Sequence, residues 1–595
     1  MNATEQIFNS FKEGSNAIFL SGRSIYDLEY NESINKIQPI IEILKEKALN
    51  DHNLLVIRYT HATGIEIDMD SVSSSERQTI VKYLEDHEIM RINRTEPVTE
   101  NEFQKIIRAI YRLISKDDNV VALKNKKTLH FLFLFEFAQH QLPGGLTSGY
   151  FTQEQMVSRE LCYLLSNSLS LRKSGHYVIF NSVGEEEIDK LITSSLVSVR
   201  LAYPNIEEKE KFVKALQERY PVARLEENLT VGIVANLTSN TPNKSLEKLF
   251  LGSNISRNII NAEMISKQKQ TDIENLSEGT LTLLDTERVK NVALRGRNVK
   301  PAIDFLIRCA EGVKSGNVYT PKNVLLVGAP ASGKTDLALL TAVNAQMPAF
   351  QINSPKTSLV GETERKARLQ MTLLKNMYPN LGFIDEVTEA FPMTRSNMNL
   401  DSGASAAVTA QLLNALSDKS RSGKSIIIAA SNCPWKVGTA MLSRFTCIPL
   451  LMPLQEDLSD IVKSILITLN GKSINMITDD EIKNVSMIFW NKGASPRVIM
   501  GALSNALGIY GKLDSKALKF AAEDVCPQDH RDKMGAIFSD LWAIKVTASQ
   551  SLLPWKYNNK YPFPEYIREV VDADGNIIAS KLDEAIDRLE PYVNV

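Results

Sequence analysis

One octapeptide constrains this chain more than any other feature in it. Residues 328–335 read GAPASGKT, directly after the apolar run NVLLV at 323–327 and ahead of a helical stretch at 334–345. The pattern G-x-x-x-x-G-K-[ST] has a physical reading. Glycines permit backbone angles that other residues rarely adopt, so successive N–H groups can wrap an anion while a helix N-terminus faces it. Gly328, Ala329, Pro330, Ala331, Ser332, Gly333, Lys334 and Thr335, with Asp336 one position on, form the candidate nucleotide-binding set. Lys334 can reach the β- and γ-phosphates of a bound triphosphate, and the Thr335 hydroxyl can hold Mg²⁺. The short apolar run before the turn suits a buried parallel strand.

The stretches that follow keep strands and helices alternating. Strands are predicted at 350–353, 381–384, 425–430 and 447–451, and helices at 363–377 and 407–416. That alternation predicts an α/β fold, a parallel sheet covered on both faces by helices. Adjacent parallel strands end on one edge, where ligands bind. Asp385 and Glu386 fall at the end of the strand in LGFIDEVTEAF. Asp385 is therefore a candidate magnesium ligand beside Thr335, and Glu386 a candidate for orienting or deprotonating a water. Asn432 lies just past SIIIAAS and can hold that water or the γ-phosphate. Arg444, in AMLSRFTCIPL, can reach a neighbouring subunit's γ-phosphate, and Arg497, in GASPRVI, can report the nucleotide state to a lid.

Past Pro453 the pattern turns helical, with segments predicted at 457–469, 479–492, 496–507 and 515–523, Ser495 serving as N-cap and Pro496 as first residue of the third. The first 270 residues show a similar rhythm. Strands are predicted at 17–20, 54–58, 131–137 and 177–181, then a mostly helical part from 207 to about 267. The polar stretch 268–277 reads as a boundary. After about 529 comes an aromatic, proline-rich segment, PWKYNNKYPFPEY, and a hairpin turn in VDADGNI.

Length and composition limit the partners. At roughly 100–200 residues per domain, 595 residues predict several domains. Sixty-eight Lys and Arg against 70 Asp and Glu leave no excess of positive charge for a phosphate backbone. Nucleic acid stays an open but unfavoured partner, since the tight cluster Lys124, Lys126 and Lys127 reads as a solvated loop. No apolar run approaches the ~20 residues of a membrane span. Five scattered cysteines without a Cys-x-x-Cys pair, and no secretory signal pattern at the start, give a cytoplasmic expectation.

In this order the motifs resemble those of the AAA+ ATPase superfamily. GAPASGKT looks like its Walker A motif, FIDE its Walker B, Asn432 its sensor 1, Arg444 its arginine finger and Arg497 its sensor 2. The resemblance covers about 271–526 and implies ATP, Mg²⁺ and a homo-oligomeric ring, commonly a hexamer, with sites between subunits. SLVGETERKARLQ is similar to the family's pore loop, with Leu359 where an aromatic residue is common. The first module resembles a degenerate copy. It reads SGRSIYDL without Gly-Lys-Ser/Thr, and FLFLFEFA carries Glu136 without a preceding aspartate, so no hydrolysis is expected there. Its rival reading is an unrelated α/β recruiting domain. The expected layout is a degenerate AAA-like α/β domain at 1–205, a helical lid-like region at 206–270, the large ATPase domain at 271–455, its helical lid at 456–528 and a C-terminal extension at 529–595. The expected activity is ATP hydrolysis by a ring that remodels protein complexes, with one active site per chain. A nucleic-acid motor or loader and a nucleotide-gated scaffold with little turnover remain as alternatives.

Overall fold

The computed structural model describes residues 3–69, 72–89, 100–115, 121–122, 128–143, 152–182, 188–277, 279–284, 296–354, 362–391, 404–470, 477–557 and 563–593. Leu359 and the lysines at 124, 126 and 127 lie outside the described residues. The chain divides into two compact units, Met1–Ile260 and Asn261–Val595. Among the described residues no helix is long and apolar enough to cross a membrane.

The first unit contains strands β1 (Ala17–Gly22), β2 (Leu28–Asn31), β3 (Lys36–Pro39), β4 (Leu54–Thr60), β5 (Gly64–Ile67), β6 (Val121–Ala122), β7 (Thr128–Phe135), β8 (Tyr177–Asn181) and β9 (Val197–Leu201). Its main sheet runs β5-β4-β7-β8-β1-β9, with β6 on β7 and β2–β3 as a separate hairpin. Strands β4, β7, β8, β1 and β9 are parallel. Alternate residues serve opposite faces. Phe19 packs into one core, and Ile18 and Leu20 into another. Helices Ile206–Arg219, Val231–Thr238 and Asn243–Ser256 fill the part predicted to be helical.

The second unit holds β10 (Leu281–Leu283), β11 (Asn323–Val327), β12 (Ala349–Ile352), β13 (Asn380–Ile384), β14 (Ser425–Ser431) and β15 (Thr446–Pro449), in the order β10-β12-β13-β14-β11-β15. Among the described residues of this sheet only β10 is antiparallel to its neighbour. Every residue of β11, β13 and β14 is buried, which is why these strands read as unbroken apolar runs. Helices Lys300–Lys314 and Lys334–Ala345 cover one face through Leu306, Ala310, Leu337 and Ala338. Gly382 points to the other face, toward Leu374 of helix Glu362–Asn376.

Counted along the chain, the five parallel strands of both units stand in one order: fifth, first, fourth, third, second. In each, the first strand lies between the fourth and the fifth, so its carboxyl end sits mid-edge beside two strand ends.

Four helices, Leu458–Asn470, Asp479–Asn491, Pro496–Tyr510 and Ser515–Asp524, form a bundle with its own core. Ser495 caps the third as expected, its hydroxyl accepting from the Val498 amide. Residues 268–277, read as a boundary, are mostly helical instead. Helix Ala262–Leu276 buries Ile265, Lys269 and Ile273 at four-residue spacing. The lysine hid the stripe, and its ammonium is satisfied by the Tyr378 carbonyl at 2.7 Å. The C-terminal segment builds a further core in which Phe538, Leu541, Trp555 and Ile586 pack with Leu451 and Leu454, just past β15. The predicted turn is present, closed by the Val571–Ile577 bridge.

Candidate functional site

The site forms where β11, β13 and β14 end. The register pairs Val327 with Ser431 and Ile384 with Ala429, so the residues that follow each strand emerge on one edge. After β11 the chain turns at Gly328, whose φ is +153°. A Cβ there would stand 2.0 Å from the Leu450 carbonyl oxygen, so the loop start admits only glycine. Ala331 and Gly333 also have positive φ, at 64° and 88°. Helix Lys334–Ala345 starts at once, with Thr335 and Asp336 in its first turn.

Lys334 is buried and folds back over the loop. Its ammonium donates to the carbonyls of Gly328 at 2.9 Å and Ala329 at 2.8 Å, and to the Ser332 hydroxyl at 3.2 Å. Burial pushes its pKa down to about 8, opposed by the negative charges of Glu386, Asp540 and Asp385 and reinforced by Arg497.

Glu386 sits in the left-handed region at φ 44°, as N-cap of the short helix Val387–Ala390. That strained backbone aims its half-buried carboxylate at Asn432. The Asn432 side-chain amide donates to Oε1, and its backbone N–H approaches Oε2 at 3.3 Å. Burial raises the Glu386 pKa, against the lowering effects of the Asn432 amide and Lys334. Asn432 Oδ1 is buried without a hydrogen-bond partner among the described residues. Asp385 is exposed at the end of β13.

The cradle, the helix N-terminus and the buried ammonium suit a triphosphate. The Thr335 hydroxyl and Asp385 carboxylate are hard oxygen donors of the kind Mg²⁺ takes, and it usually needs only one or two protein groups beside the substrate's phosphates.

The two arginines differ in their relation to this loop. Arg497 is exposed in the first turn of helix Pro496–Tyr510 and lines the same cavity of about 1640 Å³ as Ala329–Ser332. Arg444 donates to the Ser417 hydroxyl at 2.7 Å and to the Ala440 carbonyl, while its own carbonyl accepts from Asn323, the first residue of β11. It therefore lies at the opposite end of β11 from the loop, roughly 13 Å away at about 3.3 Å per residue.

Residues 324–450 match the family described as "ATPase family associated with various cellular activities (AAA)". This segment is an AAA ATPase domain. Similar curated proteins include the ATPase family gene 2 protein of Saccharomyces cerevisiae, 31% identical over 147 residues, covering 24% of this chain and 18% of that one. The cell division cycle protein 48 homolog of Archaeoglobus fulgidus is 24% identical over 268 residues (41% and 36%), and spastin of Xenopus laevis 24% over 240 residues (39% of each). The chain thus spans well under half the length of these relatives. A crystal structure of the FIGL-1 AAA domain in complex with ADP matches 47% of the chain and 97% of its own, at 20% identity and a TM-score of 0.36.

The AAA domain's strand order recurs in the first unit, and the corresponding edge there can be compared directly. Gly22, after β1, has φ 91°, and a Cβ would meet the Leu201 carbonyl oxygen at 2.7 Å, as at Gly328. Next comes Arg23, buried and paired with Asp27 at 2.5 Å and Glu29 at 2.8 Å. At the end of β7, Glu136 stands where Asp385 stands after β13, and Phe137, at φ 54°, takes the left-handed position of Glu386. Glu136 is bound by Arg58 at 2.6 Å and by the Tyr26 hydroxyl. The position of the AAA domain's glutamate thus carries a phenylalanine.

Sequence reading missed Asp540 and Ser539 of helix His530–Lys545, which reach the AAA domain's loops from the C-terminal segment. Ser539 donates to the Asn432 carbonyl at 3.0 Å. The only sequence signal was an acidic residue inside the apolar run IFSDLWAI.

Proposed function

We propose that this chain hydrolyses Mg·ATP at one site per chain, in its second unit, within a homo-oligomeric ring, the hexamer its resemblance implies, and that the ring remodels or disassembles protein complexes. The observation that carries the reading is the Glu386–Asn432 pair, held at a strand end beside the buried ammonium of Lys334.

The loop amides and Lys334 bind and orient the phosphates. Thr335 and Asp385 hold Mg²⁺, which when bound neutralises charge on the phosphate oxygens. Glu386 receives or aligns the proton of the attacking water. Its raised pKa makes it a stronger base than a solvated carboxylate, and Asn432 fixes its orientation. Arg444 lies at the far end of β11 from its own chain's loop, which suits a residue serving a neighbour's γ-phosphate, and Arg497 couples the lid to the same cavity. The first unit serves recruitment without hydrolysis, given Arg23 in its loop and Phe137 at the glutamate position.

The test is capture with Glu386→Gln in ATP and Mg²⁺, followed by imaging. A closed ring holding polypeptide supports remodelling. A monomer in saturating ATP, or captured nucleic acid, overturns it.

A further inference from the structure

Helix His530–Lys545 presents Phe538, Leu541 and Ile544 to Leu451 and Leu454. Within that apolar contact stands a carboxylate, Asp540, with no solvent exposure. Its Oδ2 accepts from the Met452 amide at 2.9 Å and from the Tyr566 hydroxyl at 2.8 Å. The Ala329 amide of the phosphate loop approaches the same carboxyl group closely enough to favour its charged form, yet Oδ1 completes no hydrogen bond among the described residues. Charge attraction also links Asp540 with Lys334. One residue earlier, Ser539 holds the Asn432 carbonyl. Two consecutive residues of this helix therefore reach both strand-end loops of the nucleotide site.

Packing alone does not require a carboxylate here. Burial pushes its pKa up to about 6, so near neutral pH the fold carries a charge that burial opposes. The groups around it are all on site-forming elements: Ala329 and Lys334 on the loop, Met452 on the connection from β15 to the lid, and Tyr566 on the short helix Glu565–Arg568. The same segment, through His530 and Met534, lines the cavity shared with Ala331 and Arg497.

We propose that Asp540 is a positioning residue of the nucleotide site, by which the C-terminal segment becomes a fixed wall of that site and holds the Ala329 amide and the Lys334 ammonium ready for a triphosphate. It acts through those two groups and touches no reacting atom. The proposal rests on the ATPase reading above.

Asp540→Asn separates charge and acceptor count from shape. An amide offers one acceptor oxygen, so it must abandon either the Met452–Tyr566 pair or the Ala329 amide. Three measurements on the full chain decide the matter: amide hydrogen exchange over 328–336 without nucleotide, binding of a fluorescent ATP analogue, and the kcat and KM of ATP turnover. Asp540→Asn is expected to speed exchange in the loop and to raise both the dissociation constant and KM about tenfold, with kcat within about twofold and no fall in the unfolding midpoint. Tyr566→Phe, which keeps the carboxylate, should move the same quantities in the same direction by less. Loop exchange, binding and KM at wild-type values in Asp540→Asn would overturn the proposal. A wild-type chain that neither binds nor hydrolyses ATP sinks the ATPase reading instead, and the exchange measurement then still decides whether Asp540 holds the loop.

Discussion

Gly328→Ala should be among the most damaging single-methyl additions in the second unit. The added Cβ would sit 2.0 Å from the Leu450 carbonyl oxygen and 3.0 Å from its carbon, both backbone atoms. Neither can swing aside, because the Leu450 amide is bonded to the Val327 carbonyl at 2.7 Å and β11 is laddered to β15. Holding alanine at φ +153° costs about 1–3 kcal/mol, and forcing apart two packed segments adds about 1–3 kcal/mol, giving about 2–6 kcal/mol in all. All four tryptophans, Trp435, Trp490, Trp542 and Trp555, belong to the second unit, so denaturant unfolding followed by tryptophan fluorescence reports on that unit alone. Gly508→Ala is the matched control. It lies on the exposed side of helix Pro496–Tyr510, a Cβ there meets nothing within 4 Å, and it should stabilise by about 0.5–1 kcal/mol. If Gly328→Ala unfolds at the wild-type midpoint, the tight approach of β11 and β15 is misjudged.

Other expectations follow from the same geometry. Because burial lowers the Lys334 pKa to about 8, the ammonium loses its proton as pH rises through that value, and the KM for ATP should climb about tenfold by pH 9. A KM that stays flat between pH 7 and 9 contradicts this. In the first unit, Arg23→Ala leaves buried Asp27 without its cation and should destabilise by about 3–5 kcal/mol in thermal unfolding, with no loss of ATP turnover from the second unit. Asn323→Leu removes one acceptor from the buried Arg421 guanidinium, which keeps Ala415 and Ser425, and takes the amide donor from the carbonyls of Leu416 and Arg444, and should cost about 2–3 kcal/mol in the tryptophan-monitored transition.

What could be read in advance was what local chemistry dictates. GAPASGKT specifies its own backbone, and fully buried parallel strands announce themselves as apolar runs, so the placement of Lys334, Asp385, Glu386 and Asn432 on one edge was legible from spacing. Features made by tertiary contact were not. The bond that the left-handed turn at Glu386 lets its carboxylate make reaches Asn432, 46 residues on. The counterpart of Glu386 in the first unit is Phe137 rather than Glu136, because correspondence follows strand ends and turn geometry, not residue type. Helix Ala262–Leu276 was hidden by Lys269, whose ammonium finds a carbonyl that sequence cannot show. Asp540 stands in the apolar run IFSDLWAI, and only the fold reveals that its helix buries the carboxylate against the phosphate loop.

The proposed chemistry is ATP binding in the cradle closed by Lys334 and hydrolysis driven by Glu386. It is tested most directly by measuring nucleotide binding and Mg²⁺-dependent phosphate release side by side for the wild type, Lys334→Ala and Glu386→Gln. The wild type should bind and turn over, Lys334→Ala should lose both, and Glu386→Gln should keep binding while turnover falls about 10²–10⁴-fold. Phosphate release that survives undiminished in either variant would contradict the account.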